Sequence, residues 1–234
     1  MIAARMQLAL NSWYARTAGG DDRPAFYDID ATYPALRKVD RAFPAIRAEV
    51  LTIMDRREDV PRLHETDSGQ HCISATTPHD WRVLYLSLMG IQAGPNRALC
   101  PATSAAVDQV PQIFQVCFSI LDPGKSVPPH CGPYYGYLRY HLPLIVPDKN
   151  PPTLRVKGEP HTWREGESIL FDDTLSHEVL NTSDGPRVVL IVDVPRPMPL
   201  AQTLLNRCAR RVAGRMYGEP TLRRALEYTA ADRH

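Results

Sequence analysis

The chain has 234 residues, of which 44% are hydrophobic and 23% charged, so it can bury one sizeable core and does not have the composition of a disordered protein. Its 27 basic and 26 acidic side chains leave a net charge of +1, which excludes the strong basic excess of a nucleic-acid-binding surface. Five scattered cysteines with no CxxC pair argue against a disulfide framework or a cysteine zinc site, and favour reduced thiols in a cytoplasmic protein.

The predicted elements divide a single domain, residues 1–234, into three parts. The N-terminal part, to about residue 70, is helical, and apolar residues spaced three and four apart predict one helix over 41–57. A strand-rich core follows over about 80–196, and helices return over 199–230. No apolar run reaches the roughly 18–20 residues that span a bilayer, so we expect no transmembrane segment.

Short apolar or alternating runs, separated by clusters of Pro, Gly and Asp, fill the central part. Many short strands without helical patterns between them are typical of an antiparallel sandwich or barrel. We therefore predict a mainly β fold with flanking helices, specifically a double-stranded β-helix (a cupin-like jelly roll). The strand candidates are WRVLYLSL, IFQVCFSIL, GYLRYHLPLIV, TLRV, SILF, HEVL and RVVLIVDV.

The first C-terminal helix is amphipathic, with apolar residues every four positions and arginines opposite them. We expect the apolar stripe to pack on the sheet and the arginines to face solvent. Contact between this basic helix and an anionic membrane surface is the alternative. The stripe comprises Leu200, Leu204, Cys208, Val212 and Met216, and the arginines are Arg210, Arg211 and Arg215.

Two histidines are candidates for a metal site. His130 ends one predicted strand after a Pro-Pro turn, and His177 begins another after FDDTLS. Imidazoles from neighbouring strands of a barrel can meet at one ion, and imidazole suits iron, zinc, copper and nickel alike. Surface or core packing is the simpler explanation for either histidine alone.

Side chains alternate between the two faces of a strand, so Arg139 and His141 share one face of YGYLRYHL with Tyr137. If the leucines between them pack against helices, Arg139 and His141 point into the barrel, where a cation needs an anionic partner. The same reasoning applies to Arg187, and Ser119 could donate a hydrogen bond to the same anion. The alternative for each arginine is a salt bridge to a protein carboxylate such as Asp172 or Asp173.

Several motifs in one order resemble the aspartyl/asparaginyl β-hydroxylase family of iron(II)- and 2-oxoglutarate-dependent oxygenases. The resemblance covers roughly residues 80–196. In addition, WRVLYL and ALCP (98–101) are similar to the branch of that family that hydroxylates acyl chains of lipid A. The matching features are Ser119, HCGP (130–133), LRYHL (138–142), WREGE (163–167), FDDTLSHEV (171–179) and Arg187.

The resemblance implies a role for each matched residue. His130 and His177 would be the metal ligands, and Gly132 occupies the position where most related barrels place a third, carboxylate ligand. A water molecule would fill that coordination position, with Asp172 or Asp173 as less favoured substitutes. Arg187 with Ser119 would bind the distal carboxylate of 2-oxoglutarate, and Arg139 with His141 would hold its chelating end. Trp163 would pack a hairpin turn with Gly166.

The resemblance implies hydroxylation of an unactivated carbon, with release of succinate and carbon dioxide. An aspartyl or asparaginyl substrate (peptidyl, free or carrier-bound) is the first expectation, and a lipid acyl chain is the alternative. Tyr134, Tyr135 and Tyr137 could line either substrate. A protein of a different functional class is the remaining alternative, either a non-catalytic binding module or a zinc hydrolase. No HExxH motif is present, however. We expect no nucleic-acid partner, and peripheral membrane contact and the oligomeric state stay open.

Overall fold

The computed structural model describes residues 2–231, and the side chains of residues 7–228. Within these residues, no helix combines the length and the apolar character required to cross a membrane. The helices are α1 Ile2–Thr17, α2 Ile29–Thr32, α3 Arg37–Arg41, α4 Phe43–Met54, α5 Leu63–Thr66, α6 His71–Ser74, α7 Gly94–Leu99, α8 Pro101–Val107, α9 Leu200–Ala213 and α10 Glu219–Ala231. The strands are β1 Phe26–Tyr27, β2 Trp81–Leu88, β3 Ile91–Gln92, β4 Gln115–Leu121, β5 Val127–His130, β6 Tyr137–Ile145, β7 Thr153–Val156, β8 Glu159–Thr162, β9 Ile169–Phe171, β10 His177–Leu180 and β11 Arg187–Pro195.

The strands form two antiparallel sheets. The larger sheet has the order β1-β9-β6-β11-β4-β2-β3, and the smaller has the order β5-β10-β7-β8. Side chains from both sheets, among them Leu121, Leu154, Phe171 and Val179, share one buried apolar cluster, so the two sheets face each other. This arrangement confirms the predicted jelly roll with flanking helices.

The two faces of the large sheet have different chemistry. On β6, Leu138 and Leu142 are fully buried in the cluster that also holds Ile46 and Val50 of α4. Because neighbouring residues alternate, Arg139 and His141 lie on the opposite face, toward the small sheet. The N-terminal helices therefore cover the apolar outer face of the sheet, and its polar side chains face the interior of the jelly roll.

The orientation of α9 differs from the prediction. Its predicted apolar stripe is exposed, with 73% exposure at Leu200 and 50% at Leu204, whereas its buried side chains are Gln202 and Asn206. Asn206 Nδ2 donates to the Gly136 carbonyl over 2.7 Å, and Gln202 Nε2 donates to Thr17 Oγ1 over 2.6 Å. The polar side chains point inward because they have hydrogen-bond partners in the body of the protein, and this leaves the apolar residues facing outward.

Candidate active site

Two histidines from paired strands meet inside the jelly roll. His130 on β5 and His177 on β10 are direct partners in the antiparallel register of the small sheet. Their ring centroids are 4.1 Å apart. Both rings lie on the same side of the sheet, so one small ion could contact both.

Hydrogen bonds to the backbone fix the tautomers of these histidines. His130 Nδ1 lies 2.9 Å from the Pro128 carbonyl oxygen, and His177 Nδ1 lies 3.0 Å from the Leu175 carbonyl oxygen. A carbonyl oxygen only accepts, so each Nδ1 must carry the proton and donate, which leaves each Nε2 with a free lone pair. Burial lowers the pKa of both rings to about 4. Both are therefore neutral near pH 7, as a metal-binding imidazole must be.

Asp173 stands beside this pair and fills the space next to Gly132. The Gly132 amide donates to the Asp173 carbonyl over 2.7 Å, and a Cβ at position 132 would lie 2.6 Å from the Asp173 carboxylate. Tyr137 Oη donates to Asp173 Oδ2 over 2.9 Å, while Asp173 Oδ1 is buried without a partner among the described residues. In the part of the chain that the structure describes, no group of three or more His, Cys, Asp or Glu residues could hold a metal ion.

Arg187 is a buried cation without an anionic partner. Its side chain is 2% exposed and forms no ion pair with any described residue. Its Nη1 has only long contacts to Ser119, 3.4 Å to the carbonyl oxygen and 3.5 Å to Oγ, and its Nε has no partner. Burial lowers the pKa of Arg187 to about 9, which leaves the guanidinium charged at neutral pH. A buried, unpaired cation of this kind fits a carboxylate-bearing ligand.

A row of ring contacts joins Arg187 to the histidine pair. The Arg187 guanidinium lies 4.6 Å from the Trp163 ring, and the Trp163 ring stacks on His141 at 5.9 Å. His141 contacts Phe171 at 4.9 Å, and Phe171 contacts His177 at 5.9 Å. Both ring nitrogens of His141 are buried without a partner among the described residues. The row thus presents several unpartnered polar atoms between the guanidinium and the two imidazoles.

Arg139 differs from Arg187 because protein carboxylates already bind it. Its Nε and Nη2 each donate to Asp193 over 2.8 Å, and its Nη1 lies 3.1 Å from Asp173 Oδ2. This is the salt bridge considered as the alternative from the sequence. A guanidinium has five N–H groups, so these bonds leave two for another acceptor. The predicted contact between Arg139 and 2-oxoglutarate stays a prediction.

Asp172 is not available as a metal ligand. One of its carboxylate oxygens accepts from Arg23 Nε over 2.9 Å, and the other lies 2.7 Å from Arg196 Nη2. Asp172 is fully buried among these partners, and it also accepts from the Thr174 hydroxyl. Its role is to hold the turn before His177.

Two tryptophans contribute more than the sequence suggests. Trp163 stacks between Arg187 and His141. A Cβ at Gly166 would have Phe43 as its nearest neighbour, and the expected packing of Trp163 with that glycine stays a prediction. Trp81 Nε1 donates to Ser119 Oγ over 3.0 Å, which orients the serine next to Arg187. Trp81 is the first residue of a predicted strand, but only the strand pairing shows that it reaches Ser119.

Comparison with known proteins agrees with this geometry. The family described as aspartyl/asparaginyl beta-hydroxylase matches residues 40–197, more than half of the chain. The chain belongs to this family. It is therefore related to hydroxylases, and the family resemblance seen in the motifs is confirmed.

Individual relatives support the assignment to this hydroxylase family. The chain is 37% identical over 199 residues to an ornithine lipid ester-linked acyl 2-hydroxylase of Rhizobium tropici, with 85% of this chain and 68% of that protein covered. It is 31% identical to the human aspartyl/asparaginyl beta-hydroxylase, covering 69% of this chain but 21% of the human protein. Among solved structures, a Pseudomonas putida prolyl-4-hydroxylase is similar, with 17% identity, coverage of 66% of this chain and 88% of that one, and a TM-score of 0.43.

Proposed function

We propose that this hydroxylase-family protein is an iron(II)- and 2-oxoglutarate-dependent dioxygenase. One combination of features carries the proposal. Two neutral imidazoles have free Nε2 atoms, and one row of ring contacts joins them to a buried guanidinium that has no carboxylate partner. The imidazoles fit a metal ion, and the guanidinium fits the distal carboxylate of a dicarboxylic acid.

His130 and His177 would hold the iron through Nε2, and the backbone carbonyls bonded to Nδ1 would keep each ring in position. Arg187, with Ser119, would bind the distal carboxylate of 2-oxoglutarate, and His141 would face its chelating end. When bound, the iron and 2-oxoglutarate would supply the activation of dioxygen, of which one oxygen atom would become the hydroxyl on an unactivated carbon and the other would enter succinate, with release of carbon dioxide.

Asp173 would act beside the ligands rather than as one of them. Its Oδ1 has no partner among the described residues, and the carboxylate lies against Gly132, two residues after His130. The space for a third protein ligand is therefore filled, while a carboxylate oxygen remains to accept a hydrogen bond. This supports a coordination position taken by water, with Asp173 as the acceptor that orients it.

For the substrate class, we propose an ester-linked acyl chain of a lipid. The relative with that activity aligns with 85% of this chain. In addition, Arg23, Arg139 and Arg196 are each paired with a buried aspartate, and Arg187 is assigned to 2-oxoglutarate. Among these four arginines, the pairings leave only the two remaining N–H groups of Arg139 for the carboxylate of a peptidyl aspartate. An acyl chain needs no cation at the hydroxylated carbon.

A peptidyl aspartate or asparagine is the second candidate. It is supported by the human relative, with 31% identity over 170 residues. Such a substrate would draw on polar side chains that line the site, and the sequence predicts Tyr134, Tyr135 and Tyr137 for this role.

The cofactor requirement is tested first, by succinate release from 2-oxoglutarate under air with added iron(II). His130→Ala and His177→Ala should each abolish release and weaken iron(II) binding measured anaerobically. His79→Ala is the matched control, because His79 is an exposed histidine outside this row. Release at the wild-type rate by either ligand variant would overturn the proposed ligand pair.

The substrate is tested separately, by mass spectrometry for the gain of one oxygen. Vesicles containing a diacyl amino-acid lipid are compared with peptides containing Asp or Asn, each with iron(II) and 2-oxoglutarate. We expect the oxygen on the ester-linked acyl chain, with succinate formed in equal amount. Oxygen gained by the peptide alone would establish the second candidate instead.

A further inference from the structure

The exposed side of α9 has no role in the site described above, yet it is strongly apolar. Its side chains point away from the body because Gln202 and Asn206 occupy the inward positions. One solvent-facing half of this helix therefore carries large aliphatic residues over several turns. The exposed fractions are 73% for Leu200, 50% for Leu204, 39% for Leu205 and 57% for Val212, and 70% for Met216 in the π-helical turn Gly214–Gly218 that directly follows α9.

The charge on this side is all of one sign. Residues 200–218 contain four arginines and no acidic residue. Arg207, Arg211 and Arg215 are exposed, and no ion pair joins any of the three to a described carboxylate. An exposed helix with an apolar stripe bordered by unpaired arginines has the composition of a helix that lies in a lipid–water interface.

A second helix, α1, is joined to α9 and exposes two further large apolar side chains. The Gln202–Thr17 hydrogen bond joins α9 to the end of α1, and the Thr17 hydroxyl donates to the carbonyl of Trp13, one turn earlier. Trp13 is 40% exposed and Leu8 on the same helix is 65% exposed. Tryptophan at the edge of an apolar surface is favoured where lipid meets water, since its ring is apolar and its N–H is polar.

We propose that α9, together with Trp13 of α1, binds the surface of a bilayer that contains anionic lipid. The charges favour this occupant over a second copy of the chain. A symmetric dimer through α9 would bring two sets of unpaired arginines together, and like charges facing each other across an interface are unfavourable. A negatively charged lipid surface instead neutralises the arginines while its acyl region accepts the leucines.

The location of this surface fits delivery of a substrate. Asn206 bonds to Gly136, and Tyr134 Oη donates to Asn206 Oδ1 over 2.6 Å, so α9 packs on the loop that links His130 to β6. Asn11 of α1 donates to the Pro133 carbonyl of the same loop over 2.9 Å. Docking would therefore hold the loop after His130 close to the bilayer. This delivery role rests on the proposed lipid substrate, whereas the binding itself does not.

The experiment is co-sedimentation of the full-length protein with vesicles of phosphatidylcholine alone or of phosphatidylcholine and phosphatidylglycerol in equal parts. We expect binding to the anionic vesicles that weakens with added salt, and little binding to the neutral ones. Leu200→Ser with Leu204→Ser should reduce the partition coefficient at least tenfold, since each leucine loses its apolar contact. Arg211→Gln with Arg215→Gln should reduce it about thirtyfold.

Matched controls separate this surface from general stickiness. Leu51→Ser alters a leucine with 43% exposure on α4, and Arg56→Gln with Arg164→Gln removes the same charge from exposed positions elsewhere. These variants should bind as the wild type does. Thermal unfolding followed by circular dichroism shows that each variant is folded.

Any of three results would overturn the proposal. The wild type fails to bind the anionic vesicles at low salt, the leucine variant and the arginine variant both bind as strongly as the wild type, or the wild type is a dimer and the leucine variant is a monomer. The assay involves no turnover, so a failure here leaves the hydroxylase proposal untouched. Conversely, we expect the His130→Ala and His177→Ala variants to bind vesicles as the wild type does, whatever their activity.

Discussion

The carboxylate of Asp173 lies directly against the backbone of Gly132, so that a Cβ at position 132 would come within 2.6 Å of three of its atoms. Position 132 follows His130 by two residues, where a carboxylate ligand would complete a facial triad. The glycine is therefore required by packing, and an aspartate introduced at this position would meet Asp173 before it could reach a metal.

Gly132→Ala should destabilise the protein by about 1–3 kcal/mol, because overpacking a filled site forces side chains and backbone to shift. It should also weaken iron(II) binding, because the shift moves the segment that carries His130. Urea unfolding and anaerobic metal titration measure the two effects. Gly94→Ala is the control, since a Cβ there meets nothing within 4 Å. Equal stability of the two variants would contradict the crowding.

Arg187→Met should stabilise the ligand-free protein by about 1–4 kcal/mol while destroying its affinity for 2-oxoglutarate. The buried guanidinium lacks an anion until the ligand binds, so an apolar side chain of similar size removes a desolvation cost. Losing the clamp should weaken 2-oxoglutarate binding by about 2–5 kcal/mol, roughly 30-fold to several thousand-fold.

Thermal unfolding of the ligand-free protein tests the first half of this prediction, and thermal unfolding with a metal present throughout, with and without 2-oxoglutarate, tests the second. The ligand should raise the melting temperature of the wild type and leave that of Arg187→Met unchanged. Arg82→Met, unlike Arg187→Met, should lower the stability of the ligand-free protein, because Arg82 is paired with Glu58 and Asp80. A ligand-induced shift in Arg187→Met equal to that of the wild type would reject Arg187 as the carboxylate clamp.

The metal-free protein should lose stability as the pH falls from about 6.5 to about 4. Burial lowers the pKa of His130 and His177 to about 4, against 6.5 for a free imidazole, so in this window the unfolded chain binds protons that the folded protein does not. The effect is absent above pH 6.5, complete below pH 4, and amounts to about 3 kcal/mol at most for each histidine.

Urea unfolding across that pH range, compared between the wild type and His130→Gln with His177→Gln, isolates this contribution from that of the carboxylates. The double variant should show a shallower fall in the free energy of unfolding. His79→Gln should follow the wild type, because His79 is exposed. Parallel curves for the wild type and the double variant would mean that neither imidazole is held neutral by burial.

Arg139→Lys should cost about 1–3 kcal/mol of stability, because a lysine keeps the charge but cannot reproduce the two parallel bonds to Asp193 while also reaching Asp173. Titration with 2-oxoglutarate tests the role that remains a prediction. A weaker affinity, measured where the variant is still folded, would support a further contact with the chelating end. An unchanged affinity would limit Arg139 to holding its two aspartates.

Strand periodicity predicted which residues of β6 face inward. The alternation of Leu138, Arg139, Tyr140, His141 and Leu142 holds on the structure, because a strand places successive side chains on opposite faces whatever surrounds it. The motifs likewise identified the two histidines that the strand register brings together, and their role as metal ligands stays a prediction. The cytoplasmic location and the single domain over 1–234 stay predictions.

Other features depend on contacts between distant segments. Arg139 and Arg187 look alike in the sequence, each being a cation on a buried strand, and only the position of Asp193 and Asp173 makes one paired and the other free. Likewise, the spacing of Leu200 and Leu204 establishes an apolar stripe but not its direction. That direction depends on whether Gln202 and Asn206 find partners, and they find them on Thr17 and Gly136. The amino-acid pattern alone is enough to predict seven of the strands, the faces of β6 and the residue types of the site. The folded arrangement sets which charges are neutralised and which surfaces are covered, because pairing and burial are properties of residues far apart in the chain.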